Sequence, residues 1–198
     1  MHELKRLLSE HFKNNPGKYV FLLILLVVGI VGGMIFSGNV PPDLATSLKS
    51  EVAVLMEGIE DGNINEYEIM KSSFLKNLRF FLLIFTGGLS VWLTPLICSV
   101  IISYGFSLGF TLSYLSSNFG SYGVIVALSS VLISFLITVP VYMILSVVAF
   151  NNSFGGISRR KRGFGIYFLI FGLLFVFSFV AVIIDSFVVP GIITSLCS

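Results

Sequence analysis

The residues of this chain that could do chemistry are two histidines, two cysteines and one acid late in the apolar sequence, and their positions argue against catalysis. His2 and His11 lie in a polar N-terminal tail, away from any cluster of carboxylates. Cys98 and Cys197 have no His or Cys neighbour at metal-ligand spacing, so they form neither a zinc site nor a disulfide framework and read as small apolar residues. No metal and no cofactor is expected. Asp185 comes late enough in its apolar run to reach a membrane interface. Catalysis inside a membrane needs an ionisable or metal-binding group there. The apolar segments contain no nucleophile–base pair, paired carboxylates or phosphate-cradling glycine loop. Serines without a base serve as helix-packing groups. The expected protein is not an enzyme.

The apolar segments do offer small residues at close-packing intervals. Gly29 and Gly33 are one helical turn apart, as are Gly105 and Gly109, while Ser99, Ser103, Ser107 and Thr111 form one strip. Such strips let helix backbones approach closely, within one chain or between two copies in a homodimer. Pro140 interrupts the helical ladder of a long apolar run, with Tyr142 beside it. A pore lined by Ser, Thr and backbone would need no ionisable group, so a small channel or transporter subunit is the alternative to a binding role.

The elements that carry these residues follow from composition. Of 198 residues, 56% are hydrophobic and 11% charged, with mean hydropathy +0.99; a soluble domain has about 25% charged. That excludes a soluble fold, intrinsic disorder and a coiled coil. The net charge of +2 is too small to suggest a nucleic-acid partner. No Asp, Glu, Lys or Arg occurs from Phe80 to Ser158, room for three crossings at roughly 20 residues each. The expected fold is all-α: a polytopic membrane protein whose partner is the lipid bilayer. Its five spans fall at 19–37, 78–93, 97–115, 122–150 and 164–189, with breaks at Thr94-Pro95 and at 116–121. Because the second and third spans are short and tightly joined, a re-entrant hairpin is their alternative.

Charge sets the orientation. Residues 1–18 carry Lys5, Arg6, Lys13 and Lys18 against Glu3 and Glu10, and residues 151–163 carry Arg159, Arg160, Lys161 and Arg162 with no acid. Both read as cytoplasmic. Residues 38–77 with the helix entry that follows hold seven acids against Lys49, Lys71, Lys76 and Arg79, and read as outside. The N-terminus is therefore expected in and the C-terminus out, which separates Cys98 from Cys197 across the membrane. Tyr19, Trp92 and Tyr167 then fall near the inner interface, and Tyr114 and Tyr122 near the outer one.

Two surface segments are amphipathic. Leu4, Leu7, Leu8, His11 and Phe12 recur at helical spacing in the tail, as in a short helix on the cytoplasmic leaflet. In the outer segment a helix starts near Pro41-Pro42-Asp43, and Leu48, Val52, Leu55, Met56 and Ile59 form an apolar stripe that needs a cover. A membrane surface, a neighbouring segment or a docked partner could supply it. A second helix starts near Asn65, with Glu68 in a weak capping box, and runs into the second span.

Three short pieces carry a resemblance: Ser73-Phe74-Leu75-Lys76-Asn77-Leu78-Arg79 entering the second span, Gly105-Phe106-Ser107-Leu108-Gly109-Phe110 in the third, and Pro140-Val141-Tyr142 in the fourth. In this order and on these spans, the chain resembles the stage II sporulation protein M family of endospore-forming bacteria. The resemblance covers most of the chain. It implies a non-enzymatic scaffold in the mother-cell septal and engulfing membrane that anchors two peptidoglycan-cleaving partners, stage II sporulation proteins D and P. In the fourth span, where relatives tend to carry a Pro and polar residues, this chain has Leu132-Ile133-Ser134-Phe135. A His-Gly and a Glu of the broader family are also absent there, so no role resting on those groups carries over.

An impermeant thiol reagent applied to intact cells should label Cys197 and leave Cys98 unlabelled; labelling of Cys98 alone would reverse the orientation.

Overall fold

The computed structural model describes residues 15–48, 50, 66–154, 165, 167–179 and 183, with backbone only for 66–69, 119–134 and 136. Among them the secondary structure is helical throughout, without a strand. The chain is all-α, as composition requires. The N-terminal tail helix, Val52, Leu55, Met56 and Ile59, the loop with Arg159 to Arg162, Asp185 and Cys197 lie outside the described residues.

Helix α1 (Pro16–Ser37) begins with proline in its first turn, where the missing N–H costs no helical bond. The Asn15 carbonyl accepts from the N–H of Lys18 at 3.2 Å. At the far end Asn39 closes the helix: its backbone N–H donates to Phe36 O and its Nδ2 to Ile35 O, both at 3.0 Å. These bonds satisfy carbonyls that a helix leaving an apolar medium would otherwise strand. Residues 42–48 are again helical, with Ser47 Oγ donating to Asp43 O at 3.1 Å.

Helix α2 (Glu66–Gly87) ends six residues earlier than the sequence suggests for the second span. Gly87-Gly88 explains the early stop, since adjacent glycines weaken a helix interior and a turn can use them. Partners from elsewhere hold that turn: Asn152 Nδ2 donates to Gly88 O and the Tyr167 hydroxyl to Phe85 O, each at 2.8 Å. A 3-10 turn, Val91–Leu93, follows and leaves Trp92 91% exposed, suited to an interfacial indole. Helix α3 (Thr94–Phe154) then starts with Pro95 in its first turn.

Helical backbone continues through all 61 residues of α3, Pro140 included. A straight rod of that length would measure about 90 Å, yet Thr94 Oγ1 and Ser153 Oγ lie 3.0 Å apart and the Tyr104 and Tyr142 rings 5.3 Å apart. The helix therefore folds back on itself. Both pairs place the reversal near Gly123, a few residues beyond the polar 116–121 stretch where the sequence suggests a break. The last described helix is α4 (Tyr167–Phe179).

Side-chain register fixes the direction of every segment. The first limb of α3 runs parallel to α1, with Gly29 against Gly105 and Gly33 against Phe106 and Phe110. Against that limb α2 is antiparallel, pairing Phe80 with Tyr104 and Lys76 with Ser107. Helix α4 is antiparallel to α2, with ring centroids 5.6 Å apart for Phe74–Phe179, 5.2 Å for Phe81–Phe171 and 5.3 Å for Phe85–Tyr167. The segments alternate in direction. One end of the bundle gathers Lys18, Gly88, Thr94, Asn151, Asn152, Ser153 and Tyr167. The opposite end holds residues 42–48, where the Tyr114 hydroxyl donates to Ala45 O at 3.3 Å.

Three described stretches are long and apolar enough to cross a membrane: Pro16–Ser37, Val91–Asn118 and Ile137–Phe154. Tyr167–Phe179 is apolar but shorter, and α2 carries Lys71, Lys76 and Arg79 along its length. The outward faces of α1 and α4 are apolar, with Val28, Ile35, Leu169 and Val176 all more than half exposed. That pattern suits lipid.

The α1–α3 seam depends on bare backbone. A Cβ on Gly33 would lie 2.7 Å from Phe110 N, and one on Gly109 would lie 2.8 Å from the Ile30 carbonyl carbon, both too close to be accommodated without separating the helices. A Cβ on Gly32 would meet only Phe106 Cδ2, at 3.9 Å. Gly33→Ala and Gly109→Ala should each destabilise the detergent-solubilised protein by about 1–3 kcal/mol, while Gly32→Ala should leave thermal unfolding nearly unchanged.

Candidate functional site

Among the described residues, a polar junction that joins three helical segments centres on Asn77. Its position follows from the α2 pattern: Phe74, Asn77, Phe81 and Ile84 share one face at helical spacing, so an amide stands in a row otherwise made of aromatic and aliphatic side chains. Asn77 Oδ1 accepts from the Tyr142 hydroxyl of α3 and from Ser178 Oγ of α4, the latter at 2.9 Å. Its Nδ2 donates to Ser178 O at 3.3 Å. Tyr142 and Ser178 are both buried. One amide thus joins three helical segments, with the amide oxygen taking two donors and the amide nitrogen giving one bond.

An aromatic collar flanks this junction. Phe80, one turn along α2, meets Tyr104 at 6.3 Å and Tyr142 at 6.2 Å, each edge to face. The collar separates the amide from the α1–α3 seam. Ser146, one turn beyond Tyr142, is buried without a hydrogen-bond partner among the described residues and acts there as a small packing side chain.

The pieces of sequence singled out for resemblance meet here. Lys76 Nζ donates to Ser107 Oγ at 3.3 Å, tying the first piece to the second, while Asn77 bonds Tyr142 and ties the first to the third. Segments far apart in sequence thus come to one level of the fold.

The structure places the other residues named from sequence as follows. Gly29, Gly33, Gly105 and Gly109 line the seam between α1 and the first limb of α3. Ser107 is half-buried, but Ser99 and Ser103 are exposed, and Ser99 Oγ bonds back to Pro95 O at 3.0 Å. The reason is angular. At about 100° per residue, Ser103 is turned roughly 200° from Gly105, and the glycine side is the one α1 occupies. Pro140 is exposed beside buried Val139 and Val141. Leu48 is half-buried in the helical stretch 42–48. Cys98 is half-buried and free.

A second polar layer lies at the opposite level. Lys18 Nζ donates to Asn15 Oδ1 at 3.2 Å and to Asn151 Oδ1, tying the start of α1 to the end of α3. Thr94 bonds Ser153 in the same layer. Sequence reasoning missed Ser178, Thr94, Ser153 and Asn152 because single Ser, Thr and Asn residues in apolar runs have no periodic signature of their own. Asn77 could have been found, as the only amide in the apolar row of its helix.

The chemistry available to this arrangement is mechanical: amide, hydroxyls and rings fix how helices sit against one another. A family model described as Stage II sporulation protein M matches residues 22–190, a stretch that starts in the first turns of α1 and takes in α2, α3 and α4. No curated protein and no solved structure matches the chain.

Tyr142→Phe should destabilise the solubilised protein by about 0.6 kcal/mol and at most about 1.7 kcal/mol, the range for hydrogen bonds between membrane helices. Asn77→Ala should cost more, because it strands two hydroxyls. A double-mutant cycle between them should show coupling of about 0.5–3 kcal/mol, and an additive cycle would dissolve the junction as a unit.

Proposed function

The chain belongs to the stage II sporulation protein M family, and on that premise we propose that this sporulation-related membrane protein is a non-enzymatic anchor. In this reading it localises the peptidoglycan-degrading stage II sporulation proteins D and P to the septal and engulfing membrane of the mother cell during endospore formation. What supports the reading is where the paired polar side chains of the bundle go: half-buried Asn77 and Thr94 and buried Tyr142, Ser178 and Ser153 all bind one helical segment to another. A rigid scaffold uses its polar groups in this way.

Five spans, with the N-terminus in and the C-terminus out, fit the alternating directions of the helices. Supporting this orientation, Lys18 shares its end of the bundle with Asn151, which leads into the basic stretch Arg159 to Arg162. Residues 42–48 lie at the other end, which would face the cell wall and start the docking surface of Leu48, Val52, Leu55, Met56 and Ile59. Trp92 and Tyr19 at the inner end and Tyr114 at the outer one suit an aromatic belt.

Affinity purification from detergent-solubilised sporulating cells should recover both hydrolases with the wild-type chain. Recovery should fall sharply when Leu48, Val52 and Leu55 are changed together to Glu, with membrane levels of the protein unchanged. Undiminished recovery would remove that surface from the reading.

A further inference from the structure

Helix α2 has two faces with opposite chemistry. Phe74, Asn77, Phe81 and Ile84 pack inward, whereas Lys71, Leu75, Lys76, Arg79, Leu82 and Leu83 are exposed on the outside of the bundle. The depth of those cations follows from register. The pairs Phe80–Tyr104 and Lys76–Ser107 put Arg79 level with Gly105, and Gly105 lies against Gly29. Gly29 is within half a turn of the middle of the apolar run Tyr19–Phe36. That run spans about 27 Å, close to the hydrocarbon thickness of a bilayer. Arg79 is therefore a cation near mid-depth on the outer surface of the bundle.

Such a position is costly toward lipid and is normally covered or paired. From that level the outer end of the α1 run is about 11 Å of helix rise away. Side chains on α2 lean toward its N-terminus, and snorkelling in that direction shortens the distance without closing it. Among the described residues no carboxylate pairs with Arg79. A second copy docked through the same face would set Arg79 and Lys76 against Arg79 and Lys76, so charge disfavours self-pairing.

We propose that the exposed face of α2 is a docking surface within the membrane for a transmembrane helix of another protein that carries a carboxylate at mid-depth, placed to pair with Arg79 while Leu75 and Leu82 pack on its apolar flanks. Half-buried Asn77 and buried Phe81, on the opposite face, hold α2 in the rotation that presents Arg79. The anchor reading is independent of this surface, because the occupant is defined by the chemistry of its spanning segment, whatever domain it carries outside the membrane.

The test is a photo-crosslinking residue placed at Leu75 or Leu82 in the full chain in cell membranes, with Val28 on the outward face of α1 as control. The adducts are digested and the captured segment is sequenced. The expected result is a single apolar segment containing Asp or Glu, captured from Leu75 and Leu82 but not from Val28. Its yield should drop at least tenfold in Arg79→Glu and be retained in Arg79→Lys. Changing the partner's acid to Lys should restore capture in the Arg79→Glu background, which separates lost pairing from lost folding. Adducts with lipid alone, with a second copy of this chain or with a segment lacking an acid would overturn the proposal, as would equal yield with Arg79→Glu. Loss of hydrolase recovery on changing Leu48, Val52 and Leu55 leaves these adducts unaffected, so the two readings fail separately.

Discussion

The structure depends on one constraint of an apolar solvent. Lipid tails are as apolar as leucine, so burying leucine between helices gains little, and association must come from close contact and from the few polar groups that can find each other. The α1–α3 seam meets the first requirement with Gly29, Gly33, Gly105 and Gly109, where backbone meets backbone. Asn77, Tyr142 and Ser178 meet the second. These devices serve different helices: the glycine seam fixes α1, the amide junction fixes α2, the second limb of α3 and α4, and the rings of Phe80, Tyr104 and Tyr142 lie between them.

Large features were legible because each rests on a periodic or compositional signal. The apolar run of α1 and its close at Asn39 follow from length and from Gly38-Asn39 ahead of Pro41-Pro42. The glycine pairs were visible as one-turn spacings, and their facing each other needed only the parallel direction of α1 and the first limb of α3. The illegible features were tertiary. The Gly87-Gly88 pair marks a possible stop for α2, but Thr94-Pro95 is a competing stop and the apolar run continues between them. Asn152 and Tyr167 decide the matter by bonding the turn carbonyls from remote parts of the chain. In the same way Ser178 looks like any serine in an apolar run until α4 is placed against α2.

The serine strip shows how spacing alone misleads. Ser99, Ser103 and Ser107 lie one turn apart just as the glycines do, and both sets satisfy the small-residue pattern for close approach. A helix has only one side toward a given neighbour. The deeper approach belongs to residues without a Cβ, so the glycine side takes α1, and Ser99 and Ser103 face outward. Where two such strips lie about 200° apart on one helix, the one with glycine is the better choice for the tightest contact.

The charges of α2 carry a different weight in the fold than along the sequence. Counted along the sequence, Lys71, Lys76 and Arg79 dilute the acid excess between the first two spans and weaken its assignment to the outside. In the fold, Lys76 and Arg79 lie beside the first limb of α3 at the levels of Ser107 and Gly105, well inside the length of the bundle. The positive-inside rule concerns bases in loops near helix ends, where they bias translocation, and cations within a packed helix are not of that kind. With those two removed from the loop count, residues 38–75 hold seven acids against only Lys49 and Lys71. The charges that blur the topology in the sequence are thus ones exposed beside Leu75, Leu82 and Leu83 on the outer face of α2.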